Sequence, residues 1–200
     1  MKLRLGPIPD DPGFHPDAAH WYRVSEPSFG VLMLLAVPLS VALAWGILIA
    51  WGAVAALRGA EGSFGGVITL GTALIYIAGF VAVSFIHELC HAIALPSAGL
   101  SSSTTLGFWP QTLTPYVSYE GELTRSRCIV TGLAPFVALS IVPLGLGVLL
   151  GATPAWAVAL SVLNGFGASA DLIGVALLLS QAPSSAMVRN KGRESWWRRV

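Results

Sequence analysis

Val81-Ala82-Val83-Ser84-Phe85-Ile86-His87-Glu88-Leu89-Cys90-His91-Ala92-Ile93-Ala94-Leu95 is an apolar run with two histidines and a glutamate set inside it. Ionisable groups are costly in such surroundings and mark a functional position by default. Two histidines four residues apart leave the same face of a helix, one turn above each other. Both imidazoles can then reach one metal ion, and the glutamate after the first histidine can act as a base toward a water on that metal. Two of the four histidines in the chain fall in this HExxH segment. A chance match whose polar groups face a neighbouring helix is the plainer account.

The surrounding composition belongs to a membrane protein. The chain is 54% hydrophobic and 10% charged, with a mean hydropathy of +0.73, where an ordinary soluble domain carries about 25% charged residues. The two cysteines, Cys90 and Cys128, suggest no disulfide framework. Met1-Lys2-Leu3-Arg4 leads into Gly6, Pro7, Pro9 and Asp10, which does not read as a secretory signal.

Residues 1–28, rich in Pro, Asp and His, read as an irregular tail. Residues 29–57 carry no charge and exceed the ~20 residues that cross a bilayer; Pro38 lies inside them as a candidate kink. Arg58, Glu61, Gly62 and Gly65-Gly66 read as a turn before a second apolar helix over 67–95. The next segment, 96–127, is enriched in Ser, Thr, Tyr and Val, which points to one or two short strands. Apolar segments over 128–150 and 155–180 follow, separated by Gly151-Ala152-Thr153-Pro154. The expected fold is an all-α polytopic protein of about four transmembrane helices, with a short β-like cytoplasmic loop between the second and third. A metallopeptidase-like domain then covers 29–182, and a basic tail covers 183–200.

Four spans place both termini on one side, together with Lys2, Arg4, Arg23, Arg125, Arg127, Arg189, Lys191, Arg193, Arg198 and Arg199; only Arg58 lies opposite. That asymmetry is a positive-inside pattern and predicts a multi-pass cell-membrane protein with cytoplasmic termini. Trp196-Trp197-Arg198-Arg199 suits a lipid-headgroup anchor better than a nucleic-acid site.

A catalytic zinc site takes three protein ligands plus water, so HELCH needs one more. Besides Glu88, Asp171 is the only acidic residue within the four expected spans. At 1.5 Å per residue it falls within several Å of the depth of His87 and His91. A bare carboxylate there is costly unless paired or metal-bound; a hydrogen bond to a neighbouring helix or a water pocket would also satisfy it. Asn164, seven residues earlier on the same expected helical face, can hold the aspartate, donate to an oxyanion, or serve as helix–helix glue. Glu120 and Glu122 read as solvated loop charges, and His15 and His20 as exposed.

HELCH on one apolar helix, with Asp171 on a later helix rich in small residues, resembles the intramembrane site-2-protease type of zinc metallopeptidase. More closely, it is similar to the small bacterial family of zincin peptidases related to that type. The resemblance covers roughly residues 66–182 and implies that His87, His91 and Asp171 bind zinc, with Glu88 as catalytic acid/base. Gly132-Leu133-Ala134-Pro135 resembles the Gly-Pro-containing helix of that clan. Three departures stand out: Asp171 is followed by Leu172-Ile173-Gly174 instead of Gly, no PDZ-like insertion is recognisable, and Cys90 occupies an unusual place inside the motif.

The expected function is therefore hydrolysis of peptide bonds at a membrane-embedded zinc site. The expected partners are the lipid bilayer and a protein or peptide substrate that can itself be a transmembrane segment, with no nucleic acid. The Tyr116–Leu123 segment is a candidate for strand addition to an extended substrate. A noncatalytic zinc-stabilised scaffold or regulatory partner would use the same ligands without needing Glu88. A small helical membrane subunit with an accidental HELCH would bind no metal.

Overall fold

The structure, a computed structural model, describes residues 1–57, 59 and 69–200. The expected turn around Arg58–Gly66 and the start of the second helix at 67 lie outside the described residues. Among the described residues there are six α-helices: α1 (Phe29–Leu57), α2 (Leu70–Ala94), α3 (Arg125–Phe136), α4 (Val142–Leu150), α5 (Ala155–Gly167) and α6 (Ser169–Gln181), with a π-helical segment, Val137–Ile141, joining α3 to α4. At the start of α2, the N–H groups of Thr69 and Thr72 each donate to the other residue's hydroxyl, at 2.8 and 3.2 Å. This reciprocal cap satisfies donors that a helix start leaves open. The helix stops before Pro96, with Leu95 extended as the residue before a proline prefers.

The all-α expectation is overturned by two sheets with seven strands among the described residues: β1 (Lys2–Leu5), β2 (Tyr22–Arg23), β3 (Thr104–Trp109), β4 (Thr114–Tyr119), β5 (Leu123–Thr124), β6 (Ala186–Lys191) and β7 (Glu194–Arg199). The first sheet has the order β1-β3-β4, with β1 parallel to β3 and β3 antiparallel to β4. The second has the order β2-β7-β6-β5, and all its pairings are antiparallel. Both tails thus belong to sheets. In β6, Ala186 and Val188 alternate into an apolar core with Val24, Leu178 and Ala182, and the two-residue Gly192-Arg193 connection closes a hairpin onto β7. Trp197 stacks on Tyr22 at 4.9 Å. Arg198 is bonded to Glu122 at 2.9 Å and lies over the Trp21 ring. The residues read as a headgroup anchor are thus strand residues with partners inside the protein.

The span count also changes. Three helical stretches, 30–57, 70–94 and 125–150, are long and apolar enough to cross a membrane. The expected fourth span is two helices, α5 and α6, bent by 50° at Ala168; the pair passes the same test only when taken together. Small residues on both sides of the break, Gly165, Gly167 and Ser169, account for it, since none resists a change of direction.

The chain divides into two compact units. One, residues 1–28, 88–134 and 171–200, contains both sheets, the last turns of α2, most of α3 and α6. The other, 29–87 and 135–170, contains α1, the larger part of α2, the π segment, α4 and α5. This second unit exposes Leu34, Trp45, Ile49, Leu74, Ile75 and Leu149, and buries Ser40, Ser140, Ser161 and Asn164 beside apolar residues such as Ile47 and Trp51.

Trp51, fully buried, anchors the apolar part of this unit with Ile47, Ala157 and Val158. A Cβ on Gly147 would lie 2.4 Å from the Trp51 ring, whereas one on Gly145 would meet open space. Gly147→Val should therefore destabilise the protein by about 1–3 kcal/mol through overpacking, read as a lower thermal midpoint in detergent. Gly145→Val should leave the midpoint nearly unchanged. Equal shifts for the two would show that the Trp51 contact does not limit packing.

Candidate metal centre

Within α2, ligand atoms of His87, Glu88 and His91 all lie within 4.8 Å of one another. This is the i, i+1, i+4 spacing expressed in space. What aims the two rings is not in α2. His87 Nδ1 meets Asn164 Oδ1 at 2.9 Å, and His91 Nδ1 meets the Thr131 carbonyl at 2.7 Å.

The roles in these bonds can be deduced. A carbonyl only accepts, so His91 Nδ1 carries the hydrogen. The Asn164 amide nitrogen donates to the Pro135 carbonyl at 3.1 Å and to Ser140 Oγ at 2.9 Å. Its oxygen therefore faces His87, whose Nδ1 must donate. Ser140 then passes its hydrogen to the Ser161 carbonyl and Ser161 to the Ala157 carbonyl, at 2.9 and 2.7 Å. Every buried donor in this chain of bonds is used. When neutral, each ring then keeps its lone pair on Nε2, the form in which an imidazole binds a metal and donates its other N–H to an oxygen.

Asp171, at the first turn of α6, brings Oδ1 to 3.4 Å from His91 Nε2. A charge-assisted hydrogen bond would be roughly 2.7–2.9 Å. At 3.4 Å the carboxylate–imidazole separation is longer than that and within ion-pair reach. Close approach of α3 to α6 is allowed by Gly132, where a Cβ would fall 2.7 Å from Val175 Cγ2, one turn beyond Asp171.

The residues singled out in the sequence are thus distributed as follows. His87, Glu88 and His91 cluster, Asp171 lies against His91, and Asn164 lies against His87. Asn164 and Asp171 are not on one straight helix, because the break at Ala168 separates them. Both Asn164 amide hydrogens are already donated, so an oxyanion-donor role does not fit its bonding. Thr131 and Ser140 were missed; their contributions are a backbone carbonyl and a hydroxyl, neither of which has a sequence signature. Cys90 and Cys128 are free thiols. Nitrogen and carboxylate donors with fixed tautomers form a set suited to zinc.

Residues 80–187 match the model of a family described as "Putative zincin peptidase". The chain belongs to this zincin peptidase family. The match spans the cluster, the Thr131–Pro135 segment, Asn164 and Asp171. No curated protein and no solved structure is significantly similar. Zinc is the cofactor that the zincin peptidase family implies, and the histidine–glutamate cluster is built to take it.

The ring-holding bonds give a direct test. Asn164→Leu removes the acceptor of His87 Nδ1 and should weaken zinc binding by about 10–100-fold, measured by competition with a chromophoric chelator. His87→Ala should abolish stoichiometric zinc. An Asn164→Leu protein that binds zinc as tightly as the parent would show that the His87 ring needs no support.

Proposed function

We propose that the protein is a membrane-embedded zinc metallopeptidase of the site-2-protease type, in which His87, His91 and Asp171 hold the metal and Glu88 moves the proton. The observation that carries the reading is the 3.4 Å approach of Asp171 Oδ1 to His91 Nε2, beside an HExxH cluster whose ring tautomers are fixed for metal binding. The chain's helical stretches, apolar outward and long enough to span, support placement in a bilayer. The distribution of Lys and Arg supports cytoplasmic termini in the cell membrane.

Zinc at this place supplies a Lewis acid that polarises the scissile carbonyl and lowers the pKa of water toward ~7. The remaining work belongs to the protein. Glu88 takes the proton of the attacking water and returns it to the leaving amine nitrogen, so that the peptide bond breaks to a free acid and a free amine. The Thr131 carbonyl holds His91, and Asn164 holds His87, so neither ring turns during the reaction. The substrate is a protein or peptide segment presented in extended form. Among the described residues, the order β1-β3-β4 leaves one side of β4 without a strand neighbour in its sheet, and a substrate backbone can add there.

The decisive experiment uses purified protein in liposomes with quenched-fluorescent peptides, including apolar transmembrane segments. Glu88→Gln should keep stoichiometric zinc and lose at least about a hundredfold in cleavage rate, the scale of general acid–base catalysis. Unchanged cleavage by zinc-loaded Glu88→Gln would overturn the mechanism. Stoichiometric zinc with no cleavage by the parent protein of any peptide offered would favour the noncatalytic zinc scaffold.

A further inference from the structure

A helix interior is a poor place for proline, because the ring clashes with the preceding turn and the residue has no N–H to give to the carbonyl four positions earlier. Pro135 lies inside α3. The carbonyl four positions earlier is that of Thr131, and this is the carbonyl that accepts from His91 Nδ1 at 2.7 Å. The carbonyl of Pro135 itself accepts from Asn164 Nδ2 at 3.1 Å, and that bond orients the amide whose oxygen holds His87 Nδ1.

We propose that Pro135 is a positioning residue for the metal centre: by withholding a backbone donor it releases the Thr131 carbonyl to fix the His91 ring, and its own carbonyl fixes the orientation of Asn164 behind His87. The proposal rests on the reading of His87 and His91 as zinc ligands, and it extends that reading to a residue that touches neither metal nor substrate. The physical step is a competition. An ordinary helical carbonyl is bonded along the helix axis to the N–H of residue i+4. Without that donor the carbonyl is free to tilt outward toward a neighbour, as it does where proline interrupts the ladder. In an apolar environment a freed carbonyl must find another donor, and the ring N–H of His91 is the one present. The same bond satisfies two groups that would otherwise be costly to bury.

Pro143 provides an internal comparison. It also lacks an N–H, but it sits at the first turn of α4, and the carbonyl four positions earlier is that of Leu139, not of Thr131. A general effect of proline on the bend of this stretch would make the two equivalent; the proposed role makes them different.

The test is Pro135→Ala in the full-length protein, with Pro143→Ala as its companion. Alanine restores an N–H that competes for the Thr131 carbonyl, and it is the better helix former. The thermal midpoint of metal-free Pro135→Ala should therefore equal or exceed that of the parent, while zinc affinity falls by about 10–100-fold. Pro143→Ala should keep the parental affinity within about threefold, a small fraction of the loss expected when a ligand's supporting bond is removed. The second measurement does not need zinc: in metal-free protein labelled with ¹⁵N-histidine, the parent should show a slowly exchanging, low-field Nδ1–H resonance from His91, and Pro135→Ala should lose it. Parental zinc affinity in Pro135→Ala, or persistence of that resonance, would overturn the proposal. Should Pro135→Ala fail to fold, absence of an Nδ1–H on His91 in the parent would do the same. Failure of the parent to bind zinc would instead strike the metallopeptidase reading, and the resonance would still decide the role of Pro135.

Discussion

The hydrogen bonds on the Nδ1 atoms of His87 and His91 are the constraint on which the centre depends. An imidazole in an apolar helix has two nitrogens and free rotation about its side-chain bonds, so without a partner it presents no defined donor to a metal. Here each Nδ1 is committed to an oxygen at 2.9 or 2.7 Å, which leaves the lone pair of each neutral ring on Nε2. HExxH spacing puts two rings on one face; only these oxygens decide which atom of each ring is available and where it points.

Supplying those oxygens imposes demands on the rest of the fold. A side-chain amide and two hydroxyls are buried among apolar helices, where an unsatisfied polar group costs several kcal/mol. His87 donates to Asn164, Asn164 to Ser140 and Ser140 to the Ser161 carbonyl, while the Ser161 hydroxyl donates separately to the Ala157 carbonyl. The last acceptor is a helical carbonyl with a second lone pair to offer. Such a network has a single consistent assignment of hydrogens, which makes it a rigid mount and not merely a tolerated polar patch.

What the sequence disclosed follows from the range of the interactions concerned. HELCH is local: its spacing is a property of one helix, and the cluster has the arrangement that the spacing implies. The apolar stretches are local as well, and three of them are long enough to span a bilayer. The sheets are not local. β1 pairs with β3, Lys2 opposite Thr105, and β2 pairs with β7, Tyr22 opposite Trp197, so the short strands of the N-terminal tail gain their meaning only from partners a hundred or more positions away. The alternation Ala186, Val188 was present in the sequence but stood in a run of cations that reads equally as a solvated tail. The roles of Thr131 and Pro135 were hidden differently, because a backbone carbonyl has no letter of its own. The rule that a proline frees the carbonyl four residues earlier would have pointed to Thr131 from the sequence alone.

The break between α5 and α6 shows why a straight fourth helix would have served the site less well. Asn164 and Asp171 are seven residues apart, which on one continuous helix puts them on nearly the same face about 10 Å apart along the axis. On α2, His87 and His91 are four apart, about 6 Å along the axis. A straight rod carrying Asn164 and Asp171 would therefore have to match a longer interval to a shorter one. With a 50° bend at Ala168, the two residues are not carried on one straight rod. Asn164, in the last turn of α5, meets His87, and Asp171, in the first turn of α6, meets His91. The two polar side chains of this one sequence segment thus serve two histidines in different ways, Asn164 by accepting from Nδ1 of His87 and Asp171 by lying 3.4 Å from Nε2 of His91.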